Sequence, residues 1–326
     1  MSITFNHTII HVLDLSLHMP VLSTELLVLN DETEAFITKH LVKTFDNNDS
    51  SAAYFKKDAP FKEQLSEPII KESFYNLSCL MAEKYYQYML EYQNIPDGDL
   101  LMTHFTSDDE TYLGILKLNY SEAFTHYVET NENSLMTKII KHKGIFPSNS
   151  KQIDEVVIIN LNDFKIVLLD HSKGKYLSLL FDCEATLSIK ETIKVVEKIV
   201  AEVIEEHYDN TSQALSELKI NISDSLFKTQ TIPVQEILEK TFGEDVQVYE
   251  SCIQKIEALG LKETTLEVSD SKLTSKYTSH RLKTDTGIEL KFPTPLFKNP
   301  DFIEFINNPD GTLSIMLKNI SQITNK

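Results

Sequence analysis

The sequence predicts an α+β fold: antiparallel sheets packed with helices, arranged in two domains. Three observations carry this. Apolar runs of strand length follow one another through short polar turns, which suits hairpins and not the crossover helices of a parallel sheet. Two long segments, residues 66–92 and 188–208, instead repeat apolar residues every three or four positions, as amphipathic helices do. At 326 residues the chain exceeds the usual size of one domain. The strand-rich pattern gives way to a helical one near Thr186. Residues 1–186 are therefore expected to form an N-terminal α+β domain, and residues 187–326 a C-terminal domain of helices followed by β-hairpins.

In chain order, residues 3–12 alternate loosely and predict a first strand, with residues 25–29 a second. Asp31, Glu32 and Glu34 put negative charge in the first turn of a helix running to Phe45, where the helix dipole favours it. Residues 46–51, Asp-Asn-Asn-Asp-Ser-Ser, read as a loop. Ser66 can cap the first long helix, and Pro68 fits its first turn. Ile70, Phe74, Leu77, Met81, Tyr85, Tyr88 and Tyr92 form its apolar stripe. The tyrosines suggest a platform for stacking bases, but a core stripe with phenol tips at its edge is the simpler reading. Pro96-Asp97-Gly98 ends this helix.

Residues 99–106 and 111–119 form a hairpin around Ser107-Asp108-Asp109-Glu110. Residues 122–129 and 134–142 are further antiparallel strands, and residues 156–160 and 165–170 make another pair. Ser188 and Glu191 match a capping box at the second long helix. Ile189, Ile193, Val196, Val200 and Val203 fall on one face of it. Shorter helices follow over residues 211–218, 234–242 behind Pro233, and 245–259 ending at Gly260.

Residues 272–320 hold two more hairpin signals. Residues 276–284 and 288–293 flank Asp285-Thr286-Gly287, and residues 302–306 and 312–318 flank Asn308-Pro309-Asp310-Gly311. Gly and Asp-Gly accept the positive φ that tight turns demand. This region opens with the most basic stretch of the chain: Lys272, Lys276, His280, Arg281 and Lys283, with no carboxylate between them. A second stretch, from Asn133 to Ile153, carries Lys138, Lys141, His142, Lys143 and Lys151 and again no carboxylate. The plain alternative for the second is a solvated strand edge guarded by lysine.

The run KTDTGIELKFPTPLF from Lys283, continued by DFIEFINNPDGTLSIMLKNI, resembles the C-terminal part of the bacterial 37-kDa nucleoid-associated protein family. IPDGDLLMTHFTSDDETYLGILKLNY (residues 95–120) and EVVIINLNDFKIVLLDH (residues 155–171) resemble its middle strands, and ITFNHTIIHVLD (residues 3–14) its N-terminal strand. The likeness is colinear and covers nearly the whole chain. It rests on strands and turns, not on a catalytic signature. It therefore implies a location, the nucleoid, and a partner, DNA, but no chemistry.

Charge pulls the other way. The net charge of −18 repels DNA at long range unless the positive groups gather on one face. Of 31 basic residues only Arg281 is an arginine, whereas reading guanine leans on bidentate arginine. Contact with DNA is therefore expected at the backbone, with little dependence on sequence. Three distant cysteines, Cys79, Cys183 and Cys252, form neither a zinc ribbon nor a disulfide framework and read as buried reduced thiols. The start MSITFNHTIIHVLD lacks the basic head and long apolar run of a signal peptide, and no window approaches the ~20 apolar residues of a membrane span. A cytoplasmic protein is expected.

Catalytic patterns are weak. His7 and His11 share a strand face four residues apart, but no further metal-ligand motif follows. Asp285-Thr286-Gly287 matches the core of aspartic proteases, which need two such aspartates; one copy between polar neighbours is a turn. A Mg²⁺ nuclease needs carboxylates near an acid-x-Lys strand, and two loose sets exist: Asp285 with Glu289 and Lys291, and Glu155 with Asp163 and Lys165. GxSxG, P-loop and GxGxxG motifs do not occur, so no cofactor or metal is expected.

The expected function is that of a non-enzymatic nucleoid-associated protein binding double-stranded DNA without strong sequence specificity, through lysine–phosphate contacts. Lys272, Lys276, His280, Arg281 and Lys283 are the first candidates, and Lys138, Lys141 and Lys143 the second. Two other readings stand beside it. One is an acidic interaction module recruited by a DNA-bound partner, such as a topoisomerase or another chromosome-associated protein. The other is the Mg²⁺-dependent nuclease.

Overall fold

The computed structural model describes residues 2–92, 94–131, 134–207, 211–261, 264–268, 277, 279–293, 296, 299–309 and 311–322. The chain divides into two compact units, Met1–Ser188 and Ile189–Lys326.

The first unit runs β1 (Ile3–Leu13), α1 (Asp31–Phe45), β2 (Ser51–Phe55), α2 (Pro60–Gln64), α3 (Lys71–Glu91), β3 (Gly98–Ser107), β4 (Glu110–Asn119), β5 (Ser121–Asn131), β6 (Ser134–Ile145), β7 (Glu155–Asn160), β8 (Lys165–Asp170), α4 (Leu177–Leu180) and β9 (Cys183–Ala185). Among the described residues, seven of these strands form one antiparallel sheet ordered β1-β3-β4-β7-β8-β2-β9. The α+β class is thereby established. Strand alternation feeds two cores. Leu100, Met102, Leu113, Ile115, Val157 and Ile159 pack with Phe74, Met81 and Tyr85 of α3. Leu101, Phe105, Leu116, Leu118, Val156 and Ile158 pack with Ile37 and Leu41 of α1. Covered on both faces, the central strands read as continuous apolar runs such as Val-Val-Ile-Ile, although they are antiparallel.

Local chemistry explains the boundaries. Asn30 caps α1 by accepting from the Thr33 amide at 2.9 Å, while Thr33 Oγ1 accepts from the Asn30 amide at 2.8 Å. Asp108 and Asp109 both take positive φ, 49° and 66°, at the two-residue turn joining β3 to β4. Gly98 must be glycine, because a Cβ there would meet the Leu118 carbonyl oxygen at 2.6 Å.

Several expectations need correction. Residues 25–29 are not a strand; this segment runs irregularly beside β1, where the Leu27 amide donates to the Thr8 carbonyl at 2.7 Å. Leu22, Leu26 and Leu29 hold it against the cores, and that anchoring produced the strand-like apolar spacing. The first long helix begins at Lys71, not Ser66, because Ser73 Oγ accepts from the Ile70 amide at 2.9 Å and sets the start there. The stripe of α3 is a core stripe, as its simpler reading has it: Tyr85 is buried, and Tyr88 and Tyr92 stack on each other at 5.6 Å at its end. Cys183 and Cys252 are buried, and burial pushes both thiols up to about 11, but Cys79 is only half-buried.

The second unit runs α5 (Ile189–His207), α6 (Thr211–Thr229), β10 (Thr231–Pro233), α7 (Val234–Phe242), α8 (Val246–Glu257), β11 (Thr265–Glu267), β12 (Ser279–Lys283), β13 (Glu289–Pro293), β14 (Ile303–Asn307) and β15 (Leu313–Leu317). Its strands pair two by two. Ile193, Val196, Val200 and Val203 of α5 pack with Leu238 and Phe242 of α7 and Cys252 and Ile256 of α8. Helix α6 extends past the expected Leu218, to Thr229. Leu218, Ile222 and Leu226 continue its buried stripe, and Asn221 Nδ2 donates to Thr241 Oγ1 at 2.9 Å. Among the described residues no helix is long and apolar enough to cross a membrane.

Candidate nucleic-acid interface

Strands β4 and β7 are direct neighbours, with Lys117 opposite Glu155. A short turn would suffice to join them. Instead the chain between them projects as the two-stranded ribbon β5–β6, apart from the main sheet. At about 3.4 Å per residue its strands span roughly 35 Å. Its foot is fixed by Tyr120 stacking on Phe146 at 6.5 Å and by Ser121 Oγ donating to the Ile145 carbonyl at 3.0 Å. Every residue of β6 is exposed.

The second basic stretch lies on this ribbon. Lys138 stands opposite Tyr127 and Lys141 opposite Phe124, so strand alternation places them on opposite faces. Lys138 pairs with Glu129, and Lys141 with Glu122. The Lys141 ammonium holds the Glu122 carboxyl below its ordinary range. These are half-exposed pairs, of the kind that adds little to stability, and phosphate can exchange for carboxylate at little cost. Lys143 lies exposed near the foot.

The first basic stretch is described in part. Lys272 and Lys276 lie outside the described residues. His280 and Arg281 occupy β12, opposite Phe292 and Lys291; their side chains lie outside the description. Lys283 is exposed and meets Glu289 at 3.6 Å. Alternation puts Arg281, Lys283 and Lys291 at positions of one ribbon face, with Glu289 beside them. Lys291 was legible as part of this face only once the hairpin register was known. Gly287, at φ 87°, closes the turn that brings β12 and β13 together, which accounts for Asp285-Thr286-Gly287 without a protease.

The nuclease sets fare differently. Glu155 cannot meet Asp163 and Lys165. It pairs with Asp170 at one end of the β7–β8 hairpin, while Asp163 and Lys165 sit at the other end and bind each other at 2.8 Å. Asp285 accepts from the Thr286 amide at 2.9 Å in an exposed turn, and Glu289 is held by Lys283. His11 is likewise committed. Its Nδ1 accepts from the Ser23 amide at 3.0 Å, so Nε2 carries the proton and donates to Ser78 Oγ at 2.9 Å.

Glu155 belongs instead to a buried network that no sequence motif announced. Lys117 is fully buried; its Nζ donates to the Pro96 carbonyl at 2.6 Å and to Asn119 Oδ1 at 2.9 Å. Asn119 Nδ2 donates to Glu155 Oε1 at 3.2 Å, and the Tyr176 hydroxyl donates to Glu155 Oε2. Burial pushes Lys117 down to about 8 and Glu155 upward, each against the attraction of the other. Lys117, Glu155 and Tyr176 are buried, Asn119 is half-buried, and the network ties the end of the sheet to the loop after α3. The signal for it was a lone lysine inside an apolar strand, Ile-Leu-Lys-Leu.

The arrangement defines a class: a two-unit α+β protein with basic segments carried on two-stranded ribbons and, among the described residues, no cluster of side chains that could hold a metal ion. The family comparison is more specific. The model of the family described as Nucleoid-associated protein YejK matches residues 9–324, and the chain belongs to that family. No curated protein matches the chain.

Proposed function

We propose that this chain is a non-enzymatic DNA-binding protein of the bacterial nucleoid that contacts the phosphate backbone through lysine. Two domains, divided near Thr186, each contribute a ribbon. The observation that supports this best is that both basic stretches reach two-stranded ribbons standing outside the main sheet, a shape that fits a DNA groove. The ribbons also escape the acidity of the chain. The three lysines of β6 balance the glutamates of β5 and its turn, and Arg281, Lys283 and Lys291 outnumber Asp285 and Glu289. The first basic stretch, Lys272, Lys276, His280, Arg281 and Lys283, is the main contact, and Lys138, Lys141 and Lys143 add to it.

Replacing Lys276, Arg281 and Lys283 together by Ala should weaken binding to all duplexes alike. It should also reduce the slope of log K against log salt by roughly 0.9 for every phosphate these side chains neutralise. An unchanged slope would remove this stretch from the interface. The net charge of −18 favours a second reading, in which a basic DNA-bound protein, such as a topoisomerase, carries the chain to the nucleoid. It predicts that the pure protein does not bind DNA. Cleavage that requires Mg²⁺ and is abolished in Glu289→Ala would instead establish a nuclease.

A further inference from the structure

The β5–β6 ribbon exposes more apolar surface than any DNA contact explains. Phe124, Leu135 and Ile139 are 74%, 75% and 80% exposed, and Val128 is 48% exposed. The register puts all four on one face: Phe124 and Val128 lie opposite Lys141 and Thr137, and Leu135 and Ile139 opposite Thr130 and His126. A two-stranded ribbon with both faces wet is marginal in water and needs cover. Phosphate offers nothing to these apolar side chains.

Charge says what covers it. The charges are sorted by strand: β5 carries Glu122 and Glu129 and no Lys or Arg, whereas β6 carries Lys138, Lys141 and Lys143 and no carboxylate. Two identical ribbons stacked face to face about a two-fold axis parallel to the strands put β5 of each over β6 of the other. The apolar residues then meet in the middle, and Glu122 of each copy faces the Lys141 region of its mate. The surface is self-complementary, as an isologous dimer requires.

We propose that the Phe124, Val128, Leu135 and Ile139 face of this ribbon docks on the same face of a second copy of the chain, with Glu122 and Lys141 exchanging partners between copies. Lys138 lies on the opposite face and stays open to DNA, whereas Lys141, on the docking face, is available to DNA only in the single chain. The dimer stands or falls independently of the DNA contact through β12.

Light scattering coupled to size exclusion, at micromolar protein, tests it. The wild type should have twice the 37.4 kDa mass of one chain, and Ile139→Lys the mass of one chain. Tyr127→Ser, on the opposite face, should remain dimeric. Glu122→Lys and Lys141→Glu should each weaken association about tenfold or more, and an equal mixture of the two should recover it, because opposite charges then face each other between copies. Far-UV circular dichroism of each variant should match the wild type, since every replaced side chain is exposed. A monomeric wild type, an Ile139→Lys variant that stays dimeric, or a charge-swapped mixture that fails to recover would overturn the proposal.

Discussion

Strands β4 and β5 are separated in the chain by Tyr120 alone, yet their surroundings are opposite. β4 is buried on both faces, with Leu113, Ile115, Leu116 and Leu118 inaccessible to solvent. β5 is paired to β6 and to nothing else in its sheet, and its aromatic and aliphatic side chains point into water. Both are rich in residues that favour strands, so propensity does not separate them. What separates them is where their side chains are used. β4 commits its apolar surface to the core of its own unit, whereas β5 and β6 keep theirs, with their lysines, for something outside it.

Substitutions should break along that line. Phe105→Ala removes a fully buried ring stacked on Tyr112 at 5.3 Å and should cost about 3–5 kcal/mol in urea unfolding of the first unit. Tyr127→Ala, on the ribbon, should stay within about 0.5 kcal/mol. Equal losses would erase the distinction. The charges should divide in the same way. Lys117→Met strands Glu155 in the core and should cost about 3 kcal/mol, relieved in part by adding Glu155→Gln. Lys138→Met, which breaks only an exposed pair with Glu129, should cost less than about 1 kcal/mol.

Acid should act on the sheet unit before the ribbon. Burial lowers His11 to about 4, so its neutral form contributes stability that is fully present above pH 6.5 and is lost as pH falls toward 4. At about 1.4 kcal/mol per pH unit this reaches about 3 kcal/mol. His40 and His104 shift the same way, also chiefly by burial, whereas the raised Glu155 acts in the opposite sense at lower pH. The urea midpoint should therefore drop between pH 6.5 and 4. The drop should be shallower in His11→Gln, which can still accept from the Ser23 amide; an equal drop would show that His11 is not the titrating group. Smallest of all should be the effect of Lys143→Ala on stability, since Lys143 is exposed; its effect on DNA affinity should be alike for every sequence.

Alternation, helical spacing and Asp-Asp or Gly turns are local signals, and they made five strands of the main sheet, both long helices and the turns of the C-terminal hairpins readable; the short strands β2 and β9 gave no such signal and were not read. The sequence failed where a tertiary contact decided the outcome. Residues 25–29 imitate a strand because their leucines anchor a loop. The second half of α6 hides its stripe among Asn221, Ser223, Asp224 and Ser225, poor helix formers. Burial of Leu218, Ile222 and Leu226 in the core of the second unit overrides their preference. Of the interface, the basic stretches were visible as runs of charge. Their pairing with Glu122, Glu129 and Glu289 was not, since register sets it. Lys117 and Glu155 are neighbours across the sheet but far apart in the chain, and only an out-of-place lysine hinted at their network.

The most direct measurement is fluorescence anisotropy of a labelled duplex with the pure full chain, across a salt series, with and without Mg²⁺. Backbone contact through the ribbons predicts binding at low salt that falls steeply as salt rises, equal affinity for unrelated duplexes, and an intact duplex whether or not Mg²⁺ is present. No binding even at about 50 mM salt would contradict it, and would give the nucleoid contact to a protein partner instead.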